Sequence, residues 1–158
     1  MPWEVQTELD YARTELPRAK AQWQTADLTN YDLDAKLALG FHPCNLTDIT
    51  LHIRGGELAG VTDYSQTPGE SNNSQAREIV DYKNHRCDFE NLMPARIFED
   101  VIRQLKDDSM IETYLEVRFD SEYGFVKDYH VETVSRGVDH CCRYMSFSNL
   151  QIVEPGNN

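Results

Sequence analysis

Basic residues are in short supply in this chain: Lys and Arg number 15 against 27 Asp and Glu, for a formal charge of −12 over 158 residues. The counterion release that drives proteins onto phosphate backbones needs clustered Lys and Arg, so nucleic acid and anionic membrane surfaces are excluded as partners. Long apolar runs are missing as well. None approaches the roughly 20 residues of a membrane helix or the h-region of a signal peptide, and Met1-Pro2-Trp3-Glu4 has no basic n-region. The expectation is a soluble chain, either cytosolic or a mature extracytoplasmic domain from which a leader was cut. There is no Gly-rich phosphate loop, no nucleophile elbow and no His-Glu-x-x-His helix. With no motif that places a nucleophile, a base and a stabilising group together, an enzyme is the class with least support.

What is present is ordinary globular material, 40% hydrophobic and 27% charged, in a length that suits one domain. Leu9, Ala12, Leu16, Ala19 and Trp23 fall near one helical face, and Pro17 inside that run predicts a kink or two helices. Tyr31, Leu33, Ala35 and Leu37 alternate with Asp32, Asp34 and Lys36, the period of a half-buried strand. Gly55-Gly56 between Ile49, Leu51, Ile53 and the returning residues 57–64 predicts a two-residue hairpin turn. Residues 65–92 have loop composition, with a short helix expected at about 75–82. Ile97, Phe98, Val101, Ile102 and Leu105 then form one helical stripe behind Pro94. Leu115, Val117 and Phe119 alternate into the turn Asp120-Ser121-Glu122-Tyr123-Gly124, which leads into a second strand through Phe125, Tyr129 and Val131. A linker over about 135–139 and a final strand over 143–153 close the chain, and a change of apolar phase predicts a bulge near Ser148-Asn149.

The order α-β-β-β-(long loop)-α-β-β-β has no repeating strand-helix-strand crossover. It argues for an α+β fold in which an antiparallel sheet of about six strands carries helices on one face. The expected organisation is an N-terminal helical arm over 1–18, a single α+β domain over 19–154 and a frayed tail over 155–158.

Trp23, Asn30-Tyr31, Cys44, ITLHIRGGELAGV, the helix around Ile97-Phe98, and LEVRFDSEYGFVKDYHV together resemble a family of uncharacterised bacterial proteins catalogued as the domain of unknown function 6174. Its members are often secreted or lipid-anchored. The likeness covers about 19–153, and its strongest part is the turn bearing Asp120, Tyr123, Gly124 and Phe125, where Val126 replaces the family's usual proline. The resemblance implies a small α+β domain outside the cytoplasm and no particular chemistry.

Soft ligands supply the remaining candidates. His42-Pro43-Cys44, His85-Arg86-Cys87 and His140-Cys141-Cys142 each put histidine beside cysteine. If their loops converge, Cys44, His85, Cys87, His140, Cys141 and Cys142 could hold zinc or copper. Four cysteines also allow three disulfide connectivities, and free buried thiols are a further possibility. A Cys141-Cys142 bond places its Cβ atoms badly. The expected disulfides therefore join Cys87 to Cys141 or Cys142, and the remaining member of that pair to Cys44. Asn45-Leu46-Thr47 and Asn72-Asn73-Ser74 match the glycosylation sequon. Asp107-Asp108 and Asp120-Ser121-Glu122 are read as turn residues rather than catalytic pairs. Two functions stay open on these residues: a non-catalytic extracytoplasmic module that binds a partner protein without a cofactor, or a metal-binding or redox protein.

Overall fold

The structure is a computed structural model that describes residues 3–38, 44–65, 76–106, 112–135 and 138–154. Helix α1 (Trp3–Ala26) is followed by strands β1 (Tyr31–Ala38), β2 (Asp48–Arg54) and β3 (Glu57–Asp63). A two-residue strand β4 (Arg77–Glu78) and two 3-10 turns (Tyr82–Asn84 and Phe89–Leu92) lead to α2 (Pro94–Lys106). Strands β5 (Glu112–Phe119), β6 (Val126–Ser135) and β7 (Val138–Ile152) complete the chain. All seven strands lie in one sheet of order β4-β3-β2-β1-β7-β6-β5, antiparallel throughout. The first meander therefore runs outward from β1 to the edge strand β4, the second runs inward from the edge strand β5 to β7, and the two meet where β1 pairs with β7.

Alternation decides which face of this sheet is wet. Tyr31, Leu33, Ala35 and Leu37 are buried, as are Leu51 and Ile53 on β2, Leu115, Val117 and Phe119 on β5, and Met145 and Phe147 on β7. Both helices cover this apolar face. On α2, Ile97, Phe98 and Val101 are buried while Ile102 and Leu105 pack at the margin. The Phe98 ring stacks on Phe119 at 6.3 Å, and each large side chain buried this way stabilises by about 1.5–3 kcal/mol. Ala12, Leu16 and Ala19 of α1 are buried, and Trp23 sets its edges against Tyr31 and Phe125 at 5.5 and 6.1 Å.

The sequence expectations meet this architecture unevenly. Gly55 and Gly56 carry φ of 62° and 79°, as the hairpin turn requires. The predicted bulge is present, as the β1–β7 register shifts between Asp32 and Asp34 and Asn149 takes a φ of 54°. Among the described residues there are seven strands rather than six, since β4 forms where a helix over 75–82 was expected; Ile79 N–H donates to Val61 O at 3.0 Å, so ladder bonds outweigh the weak helical pattern. The expected linker over 135–139 is instead the tip of a long hairpin, because β6 runs to Ser135 and β7 starts at Val138. Pro17 divides nothing: α1 is one helix through it, with the proline on the exposed side. The boundary expected between 18 and 19 falls inside this helix, and Ala12, Leu16 and Ala19 on either side of it share one core.

Candidate functional site

With both helices on one face, the other face of the sheet is left uncovered, and the odd-even alternation that buries Leu33 and Leu51 puts Asp32, Asp34, Thr50 and His52 on it. Side-chain hydrogen bonds run across four strands there. Arg54 Nη1 donates to Asp32 Oδ1 at 3.0 Å, and His52 Nδ1 lies 2.8 Å from the same oxygen. The other imidazole nitrogen lies 2.7 Å from Thr62 Oγ1, and the Thr62 hydroxyl donates to Glu78 Oε1 at 2.6 Å. A parallel row begins one residue pair away, where Thr50 Oγ1 donates to Asp34 Oδ1 at 2.6 Å and Asn149 Nδ2 donates to Asp34 Oδ2 at 3.0 Å. An open hollow of about 770 Å³ lies over these rows, lined by Asp32, Asp34, Lys36, Thr50, His52 and Tyr64 among others.

Asp32, His52 and Thr62 stand in the order acid, imidazole, hydroxyl that acyl-transfer enzymes use. Chemically the set is closed. Thr62 is only 5% exposed, and its one hydroxyl proton is committed to Glu78. What the rows accomplish is to satisfy polar groups between strands and to hold the short edge strand β4 through Glu78.

The second meander continues the same face with aromatic rings. Tyr114 and Tyr144 flank His130 at 5.4 and 5.9 Å, both in edge-on geometry. Tyr114 Oη donates to Glu116 Oε2 at 3.0 Å, and His130 Nε2 lies 3.1 Å from Glu132 Oε1. Burial and the bond to Glu116 push the Tyr114 hydroxyl up to about 12, and the neighbouring Asp128 carboxylate raises Tyr144. Both remain neutral donors at physiological pH. Tyr144 is 44% exposed.

Of the soft-ligand candidates, the side chains of Cys44, His85 and Cys87 are among the described residues. Cys44 and Cys87 form a disulfide with a Cα–Cα separation of 4.5 Å, in place of the expected bond from Cys87 to Cys141 or Cys142 and of Cys44 to the other member of that pair. The segment after β1 and the turn before α2 meet over the same end of the sheet, beside Arg143 and Met145 of β7. Cys87 thus does approach the last strand, but its sulfur is taken by Cys44, and two sulfurs bonded to each other offer no thiolate to a metal. His85 Nδ1 accepts the Cys87 backbone N–H at 3.0 Å, and its ring lies against Phe89 at 5.1 Å. Among the described residues no group of three or more His, Cys, Asp or Glu side chains could hold a metal ion. His140, Cys141 and Cys142 belong to β7, and their side chains lie outside the described residues. Asn45 is exposed, while Asn72 lies outside the described residues.

The acidic turn is a docking element. Asp120 Oδ2 accepts the N–H groups of Glu122 and Tyr123 at 3.1 and 2.7 Å, and Gly124 N–H donates to Asp120 O at 3.0 Å. Gly124 has a φ of +83°, and a Cβ there would lie 2.4 Å from Ala19 O of α1. Gln22 Nε2 donates to the carbonyls of Ser121 and Glu122 at 3.0 and 2.7 Å, while Phe125 is buried beneath Trp23. These residues seat α1 on the sheet. Sequence reasoning passed over Asp32, His52, Thr62 and Glu78, whose only signal is polar character at alternate strand positions. No family model, curated protein or solved structure matches this chain.

Proposed function

We propose that the chain is a non-catalytic, extracytoplasmic interaction module that receives a partner protein on the uncovered face of its sheet, as an accessory part of an envelope or extracellular assembly. One observation carries this reading: among the described residues, the face opposite the helices presents side chains rather than packing, with carboxylates such as Asp32, Asp34, Glu78, Glu116 and Asp128 and the exposed Tyr144 beside them. Tyrosine and carboxylate together favour a partner whose contact surface is basic, since complementary charge steers encounter and aromatic faces attract guanidinium and ammonium groups. The Cys44–Cys87 bond favours an oxidising compartment. Among the described residues no helix is long and apolar enough to cross a membrane. The resemblance of the sequence to the domain of unknown function 6174 family accords with the same location.

The test is titration of a labelled Lys/Arg-rich peptide against the intact protein and against an Asp128→Asn, Tyr144→Ala double variant. Saturable binding that weakens with salt and is lost in the variant is expected; equal binding by both proteins overturns the assignment of the face. Elemental analysis with a thiol count under denaturing conditions addresses the metal or redox alternative. Stoichiometric metal together with four free thiols would replace this reading.

A further inference from the structure

On the opposite side of the sheet, below the disulfide, a cavity of about 210 Å³ gathers three guanidiniums, Arg96 and Arg103 from α2 and Arg143 from β7. We propose that it binds a short-chain carboxylate, with the anionic head on these arginines and a short apolar tail on the floor beneath them. Such a convergence is out of character for a chain with 15 basic residues and a charge of −12. Its centre is Asp100, only 13% exposed, which accepts from Arg103 on one oxygen and from the Tyr129 hydroxyl on the other. Burial pushes Tyr129 up to about 12, so it stays a neutral donor and holds Asp100 in place. Arg143 Nη2 reaches the same carboxylate only at 3.5 Å, and Arg96 approaches Glu99 at 3.6 Å. A guanidinium has five N–H donors, so these two residues keep donors over for a guest, on a scaffold already oriented by Asp100.

The chemistry of the guest follows from the walls. Arg96, Arg103 and Arg143 are matched by Asp88, Glu99 and Asp100 around the same cavity. With three cations balanced by three carboxylates the cavity favours the smallest anionic charge, and a planar monoanion also suits the two-pronged guanidinium fork. Leu92, Ile97, Met145 and the Cys44–Cys87 bridge supply an apolar floor. The volume falls below the roughly 300–1,000 Å³ of pockets for drug-sized ligands, which limits the tail to a few carbons.

Hexanoate, inorganic phosphate and hexylamine are the probes, each titrated into the intact oxidised protein and followed by calorimetry and by amide chemical shifts. Hexanoate is expected to saturate one-to-one, with the largest shifts at residues 96–103 and 143–145, and hexylamine to give no saturation. Arg96→Gln, at a half-exposed side chain whose loss leaves the core intact, should weaken hexanoate about tenfold, as loss of one charge-assisted bond does. Arg143→Gln should weaken it at least as much. Tyr144→Ala, on the other face, should leave it unchanged, so the fate of this site is read separately from that of the uncovered face. Absence of saturation, phosphate binding as tight as hexanoate, or full affinity in Arg96→Gln each overturns the proposal.

Discussion

Helix α2 and helix α1 reach the same sheet face by different means. Of the 13 residues in α2, Ile97, Phe98 and Val101 are buried and Ile102 and Leu105 flank them, so that a continuous apolar stripe seats the helix. The 24 residues of α1 bury chiefly small or single groups, Ala12, Leu16 and Ala19, with Trp23 at the end. Polar ties supply the rest of its grip. Arg118 of β5 donates to both oxygens of Glu8 at 2.7 and 3.0 Å while lying over the Tyr11 ring at 4.7 Å, and Gln22 binds the turn before β6. Apolar seating tolerates small shifts, because burial is not directional. Polar seating depends on partners about a hundred residues away arriving in register.

The contrast is broken most directly at α2. Phe98→Ala should cost about 3–5 kcal/mol in denaturant melts, and a loss below about 1 kcal/mol would mean that α2 does not rest on its stripe. Next in size is the disulfide that ties the segment after β1 to the turn before α2. Replacing Cys44 and Cys87 by serine, or reducing the bond, releases a loop of 43 residues and should cost about 2–4 kcal/mol. A midpoint unmoved by reductant would show that the bond does not constrain the unfolded chain.

Gly124→Ala probes the seat of α1. Positive φ costs roughly 1 kcal/mol for a residue with a Cβ, and the contact with Ala19 O adds to it. The loss should appear in α1 first, as faster amide exchange over 12–23 than over 94–106; equal acceleration in both helices would dissolve the contrast.

The smallest effect, and the one that separates the two seats by chemistry, is acid. The hydrogen bond from Arg118 holds the Glu8 carboxyl below its usual range. A depressed carboxylate contributes stability that is present above the unfolded value, about 4.3, and is lost as pH falls through the lower folded one. Arg118→Gln should therefore remove part of the acid-limb slope, at a cost of no more than about 1 kcal/mol near neutrality because the pair is partly exposed. Phe98→Ala should leave that slope alone. At the alkaline end the sign reverses. Burial raises Tyr31 and Tyr129, so their contribution is intact below the unfolded value near 10 and is lost as pH climbs through the folded values. Near-ultraviolet phenolate absorbance should lag for these two rings until the fold opens; titration of every tyrosine near pH 10 with the far-ultraviolet signal intact would contradict it.

Local period and turn chemistry were enough for most of the elements. The stripe of α2, the alternation of β1 and β5, the Gly55-Gly56 turn and the bulge at Asn149 each depend on residues within one or two turns of one another, and such patterns survive in a bare sequence. The same holds for the placement of helices on one face, since two α-β-β-β runs without crossovers leave few alternatives. Strand β4 was missed because two residues carry no period, and its bonds come from Val61 and Thr62 on a strand already in place. The disulfide partner was missed for a related reason: His-Cys pairs at 42–44, 85–87 and 140–142 look alike along the chain, and only the folded arrangement brings the Cα atoms of Cys44 and Cys87 to 4.5 Å. Tertiary structure alone likewise turned Asp32, His52, Thr62 and Glu78 into one row, and Arg96, Arg103 and Arg143 into one cavity. The first grouping is set by the register of the consecutive strands β1 to β4 and the second by the packing of α2 beside β7, neither of which is a property of the residues that meet.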